Sequence, residues 1–313
     1  MSILSIKNLS FNYPNNYILK DINIHVDKGE IVSILGGSGV GKTTLFNIIA
    51  GINNLQTGEI TIQGDKNFKG KVSYMLQKDL LLEHKTVIQN IILPLLIKKI
   101  GKKEAEEEAI KNLKLFNLYE YKDKYPSELS GGMRQRVALL RTYMFKEELF
   151  LLDEPFSALD AITKISLHSW YLEISKKLEL TTLLITHDID EAIELSDRIY
   201  IIKNKPGEIV SEIKIVLDNE NREENKLKYK KEVNFMKNDK IVSSLSQLGD
   251  FLNQFLSAKP ENFNEEESKF ASLIKKSEIE NPWFTEESVR FCLKSWAKNL
   301  TKEKISAWTG QYH

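Results

Sequence analysis

The sequence predicts an α/β protein with a parallel-sheet core and a small all-helical C-terminal module. Three observations carry this. An apolar run, Ile31–Leu35, leads through a glycine-rich loop into a helical run, Leu45–Ala50. Further apolar runs at 72–76, 149–152 and 182–186 end at Gln77, Asp153 and His187, and helical stretches lie between them, as in open parallel sheets. Beyond residue 236 the apolar spacing is helical.

The loop reads Gly36-Gly37-Ser38-Gly39-Val40-Gly41-Lys42-Thr43-Thr44 and matches the P-loop pattern at Gly36, Gly41, Lys42 and Thr43. Glycines let the backbone turn its N–H groups toward a phosphate chain, and the helix N-terminus adds positive potential there. Lys42 is expected to reach the β- and γ-phosphates, and the Thr43 hydroxyl to bind Mg²⁺. A bare glycine turn would not need the full pattern in strand–loop–helix context.

In chain order, residues 3–9 and 18–26 alternate like strands about a turn at Tyr13-Pro14-Asn15-Asn16. Tyr13 is a candidate to stack on a purine ring; a turn aromatic resting on the sheet is the equal alternative. Gly51–Gly64 reads as turn plus strand. The strand Val72–Leu76 ends at Gln77, which can orient an attacking water or touch Mg²⁺, although a lone Gln is weak evidence. Residues 86–120 read as helical, with a charge-rich run expected to be a solvated face. Ser130 can cap a helix opened by Gly131 and Gly132, a second phosphate-binding helix end. The strand Leu149–Asp153 delivers two carboxylates: Asp153 suits indirect Mg²⁺ binding and Glu154 suits activation of water. The loop Ser157–Asp160 follows. His187 ends the next strand, where parallel sheets place their ligands. Ile199–Ile202 and Ile209–Ile215 read as a closing hairpin.

Bulk composition bounds the partners. The 313 residues are 42% apolar and 28% charged, which suits a globular protein. Lys+Arg and Asp+Glu are 44 each, so no basic field argues for nucleic acid. The one cysteine, Cys292, offers neither an internal disulfide nor a metal cluster. The N-terminus lacks a signal-peptide layout, and the run Ile91–Ile97 is far short of the roughly 20 residues a spanning helix needs. If the protein works at a membrane, a partner supplies the spans.

Residues 1 to about 215 resemble the nucleotide-binding subunit of an ABC (ATP-binding cassette) transporter. Tyr13 matches the aromatic A-loop position, Gly36–Thr44 the P-loop, Gln77 the Q-loop and Leu129–Met133 the signature. Leu149–Asp153 matches the Walker B strand, Glu154 the catalytic acid, Ser157–Asp160 the D-loop and His187 the switch histidine. The signature reads LSGGM where the family usually has LSGGQ, and Val40 replaces a more usual small or polar residue; neither change removes a phosphate ligand. The resemblance implies an N-terminal antiparallel β subdomain, a parallel-sheet core and a helical signature subdomain. It implies ATP and Mg²⁺, with Glu154, His187 and Gln77 catalytic and Thr43, Gln77 and Asp153 around the metal. Tyr13, the P-loop, Ser130, Gly131, Gly132 and Asp160 would hold the nucleotide. It further implies a head-to-tail dimer with a second copy, each ATP lying between one P-loop and the partner's signature. Transmembrane permease subunits and, indirectly, an extracytoplasmic substrate-binding protein would complete the complex at the cytoplasmic face of the membrane. The wording at 77–87, 153–160 and 187–199 resembles importers for nitrate, sulfonates, taurine or thiamine-precursor pyrimidines.

The expected organisation is a cassette over 1–218, a charged linker over 219–235 and a helical module over 236–313. In the module, Ile241, Leu245, Leu248, Leu252 and Phe255 share one face. Thr285 is expected to cap a helix carrying Val289, Leu293, Trp296 and Leu300 on one side, and a short helix to follow Thr301. The module reads as a helical appendage or a regulatory ligand-binding domain. A third reading follows from Asn281–Phe291 with Lys294–Ala297, which weakly resembles the first helices of bacterial acyl-CoA reductases, without their nucleophile or cofactor fold. The rival functions are a soluble ABC ATPase of DNA repair or translation, and a fusion with a truncated reductase segment.

Overall fold

A computed structural model describes residues 2–217, 222–257, 265–280, 286–301 and 304–305. Two compact units divide the chain, Met1–Lys230 and Lys231–His313.

The first unit is built on two sheets. β1 (Ser2–Tyr13) pairs antiparallel with β2 (Asn16–Asp27) and with β4 (Thr57–Ile62). Leu4 and Ile6 of β1 alternate inward, and after a register shift Leu9 and Phe11 do so again, as a one-sided antiparallel sheet requires. The second sheet has the order β5-β6-β7-β3-β8-β9, from β3 (Ile31–Gly36), β5 (Val72–Met75), β6 (Leu149–Asp153), β7 (Thr181–Thr186), β8 (Arg198–Lys203) and β9 (Glu208–Lys214). All of its pairings are parallel except β8 with β9, the expected closing hairpin. Every residue of β3, β6 and β7 is buried, because core strands of a parallel sheet are covered on both faces and read as unbroken apolar runs. One side packs on α1 (Lys42–Ile49) and the antiparallel sheet, through Leu45, Phe46 and Ile24. The other side buries Phe156 and Leu184 in one cluster with helix residues such as Phe116 and Trp170.

The stretch 86–120 is not one helix. Pro94 and Gly101 divide it into α2 (Val87–Ile91), α3 (Leu93–Ile97) and α4 (Lys102–Leu115). In α4 a stripe of Ala105, Ala109 and Leu113 is buried, and the charge run faces outward as expected. α5 (Gly131–Tyr143), α6 (Ala161–Leu178) and α7 (Ile189–Leu195) follow.

Two backbone bonds join the sheets. Lys20 N donates to Gly207 O at 2.9 Å, and Gly207 N donates to Ile18 O at 2.7 Å. The turn between β8 and β9 is thereby clasped to β2.

α8 (Arg222–Ser257) begins inside the segment read as a linker; residues 219–221 lie outside the described ones. Its first turns are held by polar contacts instead of an apolar stripe. Lys226 pairs with Glu194, Lys230 Nζ lies 2.8 Å from Asp190 Oδ2, and Tyr229 Oη accepts from Val216 N at 3.1 Å.

The second unit contains the remainder of α8, α9 (Glu265–Glu280) and α10 (Glu286–Asn299). Leu252, Phe255, Ile274, Leu293 and Ala297 form its core, with Phe251 and Phe270 against it. Two expected core residues are not in it. Trp296 is 61% exposed, because the buried face of α10 runs through Leu293 and Ala297, and Leu248 of α8 is 43% exposed. The side chains of Ile241, Leu245 and Val289, the Thr285 cap and most of Asn281–Phe291 lie outside the described residues; after Thr301 only 304–305 are described, as helix.

Candidate nucleotide site

β3 ends at Gly36, and α1 begins at Lys42. Between them Gly39 (φ 77) and Gly41 (φ 101) adopt left-handed backbone that a side chain would strain. A Cβ on Gly41 would meet Leu19 Cδ2 at 2.7 Å and Ile18 Cγ2 at 2.9 Å; one on Gly36 would meet Ile202 O at 2.7 Å. Only glycine fits these two approaches, whereas Gly37 has open space around its Cα. No side chain caps α1, so its first amides remain for an anion. Those amides belong to Lys42, Thr43 and Thr44. Lys42 is buried and donates from Nζ to Gly36 O and Gly37 O, both at 2.8 Å, which sets its ammonium within the loop. Ser38 lies exposed on the loop.

The parallel sheet brings the strand ends together beside this loop. Thr43 Oγ1 donates to Asp153 Oδ2 at 3.0 Å. Burial pushes the Asp153 carboxyl above its ordinary value; the Thr43 bond pulls it down, and the Glu154 charge adds to the rise. Burial likewise raises the neighbouring Tyr74 hydroxyl, with Asp153 adding to the effect. These hard oxygens, facing a lysine and an uncapped helix end, fit a Mg²⁺–phosphate group. Among the described residues no cluster of three or more His, Cys, Asp and Glu could hold a metal.

Glu154 continues the β6 ladder by donating from N to Ile185 O at 3.0 Å, then turns out at φ 46. Its Oε2 accepts from Gln77 Nε2 at 3.4 Å and lies 3.1 Å from His187 Nδ1. Three strand ends, β5, β6 and β7, thus converge on one carboxylate.

The remaining expected residues lie apart from this cluster. Ser130 caps α5, its Oγ accepting from Met133 N at 3.3 Å. A Cβ on Gly131 would come to 3.3 Å from Leu159 Cδ2, and one on Gly132 to 2.8 Å from Thr163 Cγ2. The glycines therefore let α5 pack closely on the loop before α6 and on its first turn. Asp160 caps α6, accepting from Thr163 N at 3.0 Å and from Thr163 Oγ1 at 2.6 Å. Tyr13 is 43% exposed; its ring stands edge-on to Phe11 at 5.0 Å, and its hydroxyl accepts from Asn53 Nδ2 at 3.1 Å.

Sequence reasoning passed over two arginines on the helix that Ser130 caps. Arg134 grips Asp79 from Nε and Nη2, at 2.8 and 3.1 Å, and reaches Glu83 at 2.7 Å; Arg141 Nη1 donates to Leu80 O at 2.8 Å. Burial would raise the Asp79 carboxyl, but Arg134 and the Leu81 amide hold it below its ordinary value. Together the arginines fix the segment after Gln77 onto α5. The signal was present in the acidic Asp79 and Glu83 and the Arg134–Arg141 heptad, but pairing them needs the fold.

Sheet order, glycine cradle and converging carboxylates define an ATP-binding cassette. Residues 19–157 match the family described as ABC transporter. Over 238 residues the chain is 39% identical to the formylaminopyrimidine import ATP-binding protein ThiZ of Halalkalibacterium halodurans, covering 76% of this chain and 94% of that protein. It is 37% identical over 231 residues to the nitrate import ATP-binding protein NrtD of Synechocystis, covering 72% and 87%. A solved cassette from Clostridium perfringens, part of the ABC transporter complex cbiONQ, superposes with a TM-score of 0.62 at 27% identity, covering 67% of this chain and 88% of that one. A dimeric cassette solved after hydrolysis with ADP and Pi gives 0.58 at 29%, covering 68% and 99%. The chain belongs to the ABC transporter family, as one of its ATP-binding, ATP-hydrolysing subunits. None of these likenesses supports the resemblance to a reductase.

Proposed function

We propose that this chain drives an importer of small solutes from the cytoplasmic face of the membrane, as a head-to-tail dimer of two copies. The observation that carries the chemistry is the meeting of Gln77, Glu154 and His187 on one carboxylate, beside the Thr43–Asp153 pair. Glu154 orients the attacking water and takes its proton, and His187 and Gln77 hold Glu154 in place. Lys42 and the amides of 42–44 draw charge off the β- and γ-phosphates. Mg²⁺, when bound, neutralises phosphate charge, and Thr43, Asp153 and Gln77 are the residues that would hold it. Tyr13 stacks on the purine. Ser130, Gly131 and Gly132 sit apart from the Glu154 cluster and supply the second phosphate-binding helix end to the partner's ATP, with Asp160 at the same interface.

The permease docks on the groove beside the Q-loop. Leu76, Leu80, Leu93, Pro94, Ile97 and Phe145 line it, and Leu80 and Ile97 are 53% and 70% exposed, as an apolar helix from a membrane partner would require. Among the described residues no helix is long and apolar enough to cross a membrane, so the spans belong to that partner. Its solute is a nitrate-like anion, a sulfonate, taurine or a pyrimidine precursor; the likeness to import proteins named for nitrate and for formylaminopyrimidine supports this range. An extracytoplasmic binding protein delivers that solute. The cassette takes in the first compact unit, Met1–Lys230, which runs beyond the expected 1–218, and the helices after it are an appendage.

Deleting the gene in its host and following uptake of labelled nitrate, taurine and formylaminopyrimidine tests this reading. Loss of one uptake activity, restored by the wild-type chain and not by Lys42→Ala, is the expected result. Unchanged uptake of all three, with a defect in export or DNA repair instead, would overturn it.

A further inference from the structure

His187 can serve Glu154 only if the loop that carries it is held still. That loop is short: Thr186 ends β7, and Ile189 begins α7. Asp188, between them, makes four of its holds. Its amide donates to Thr186 Oγ1 at 3.0 Å. Its Oδ1 caps α7, accepting from the amides of Asp190 and Glu191 at 3.0 and 3.2 Å. Its Oδ2 meets Lys164 Nζ at 2.9 Å.

Lys164 comes from a different element, one turn into α6, where its amide donates to the carbonyl of Asp160 at 2.9 Å. The same ammonium lies 3.9 Å from Oε2 of Glu191, a carboxyl only 2% exposed. His168, on the following turn of α6, sets Nε2 at 3.6 Å from that same oxygen. Lys164 thus faces both the capping carboxylate of Asp188 and the buried carboxyl of Glu191. Its side chain is 22% exposed and that of Asp188 30%, so the pair is partly desolvated and worth more than a surface pair.

We infer that Lys164 is a positioning residue for hydrolysis: it ties the helix that follows Asp160 to the loop that carries His187, and so holds His187 against Glu154. The inference rests on the ATPase reading of the site. Among the described residues the contacts of the Lys164 side chain are with Asp188 and Glu191, outside the 36–44 cradle, so its loss leaves that cradle intact. It removes the ammonium that bridges Asp188 and Glu191 to α6, and the His187 loop loses that tie. An α6–α7 staple with no part in the reaction would move stability alone.

The test uses the full chain and four variants: Lys164→Met, Lys164→Arg, His187→Ala and the double Lys164→Met/His187→Ala. ATP affinity is read by calorimetry, kcat and KM by phosphate release, and folding by melting temperature. Lys164→Met is expected to lose about tenfold in kcat with ATP affinity within about twofold of wild type. Lys164→Arg keeps the charge within reach of both carboxylates and should stay within about threefold in kcat. In the His187→Ala background Lys164→Met should cost nothing further, because both act through one contact. Wild-type kcat in Lys164→Met, or losses that multiply with His187→Ala, would overturn the inference. If Lys164→Met does not fold, Asp188→Asn cuts the same pair while keeping the Oδ1 cap, and the same criteria apply. Failure of the underlying reading looks different: the wild-type chain would then be inert, or indifferent to Glu154→Gln.

Discussion

Glu154→Gln separates binding from chemistry. Glutamine has the same length and keeps one acceptor oxygen, so it can still take the hydrogen bond from Gln77 Nε2 that now spans 3.4 Å. The backbone at φ 46 is as strained for one residue as for the other, and the change adds no new cost there. What disappears is the charge that faces His187 Nδ1 at 3.1 Å and the lone pair that takes the proton of water. A positioned general base contributes about 10²- to 10⁴-fold, or roughly 3–5 kcal/mol of barrier. Binding should not suffer. The Glu154 charge is one cause of the raised Asp153 carboxyl, so removing it lets Asp153 ionise more readily beside Thr43. The assay is phosphate release at saturating Mg·ATP, beside calorimetry for ATP. Expected are kcat lower by two to four decades, ATP affinity within a few-fold, and dimers that accumulate with ATP on size exclusion. Hydrolysis at the wild-type rate would show that Glu154 is not the base; an equal fall in affinity would place it in binding instead.

Lys42→Ala removes the buried ammonium, and charge-assisted bonds of about 1.5–3 kcal/mol should lower ATP affinity by roughly 10- to 150-fold; unchanged affinity by calorimetry would remove Lys42 from the phosphate site. Ser130→Arg should bind ATP as a monomer yet fail to close, and mixing it with Lys42→Ala chains should restore part of the activity through heterodimers with one intact site; no recovery on mixing would contradict a head-to-tail dimer. A fragment of residues 1–230 should fold and bind ATP. A fragment of 1–217 loses the pairs of Lys226 and Lys230, each worth about 0.2–1 kcal/mol, and should melt a few degrees lower. A soluble 1–230 that binds no nucleotide would make the C-terminal helices part of the catalytic unit. Asp79, held below its ordinary value by Arg134, stabilises the fold above its unfolded pKa of about 4, and that stability is lost as pH falls through the folded value. Asp79→Asn should therefore flatten the acid limb of stability against pH, and an unchanged limb in urea titrations would show that the pair contributes nothing.

The catalytic strands were legible because a doubly covered parallel strand has one appearance, an unbroken apolar run, and Ile31–Leu35 and Leu149–Leu152 have it. Which strand ends meet was not legible from the residues themselves. Gln77, Glu154 and His187 are brought together by the order β5-β6-β7, and nothing local encodes it. The start of α8 was misread as linker for a different reason. Its anchors are lysines and a tyrosine on a polar helix, so the apolar period that reveals most helices is absent there. Trp296 was misplaced because it falls at helical spacing with Leu293 and Leu300; Ala297 occupies the inner face instead. Lys164 and Arg134 carry no local signal, because their partners Asp188 and Asp79 come from other elements.

The clasp between β2 and the β8–β9 turn sets the order in which the protein becomes competent during synthesis. A Cβ on Gly207 would meet Val40 O at 2.2 Å, and Gly41 is pressed by Ile18 and Leu19, so the phosphate loop lies between an early strand and a late turn. Gly207 follows Gly41 by 166 residues. At about 5–20 residues per second, the P-loop is made roughly 10–30 s before the turn that closes over it. All the residues proposed to meet ATP have left the peptidyl-transferase centre by then, yet the cradle still lacks a wall. A nascent chain stalled before Gly207 should hold every motif and no high-affinity site, so ATP cannot serve as an early folding nucleus for this cassette.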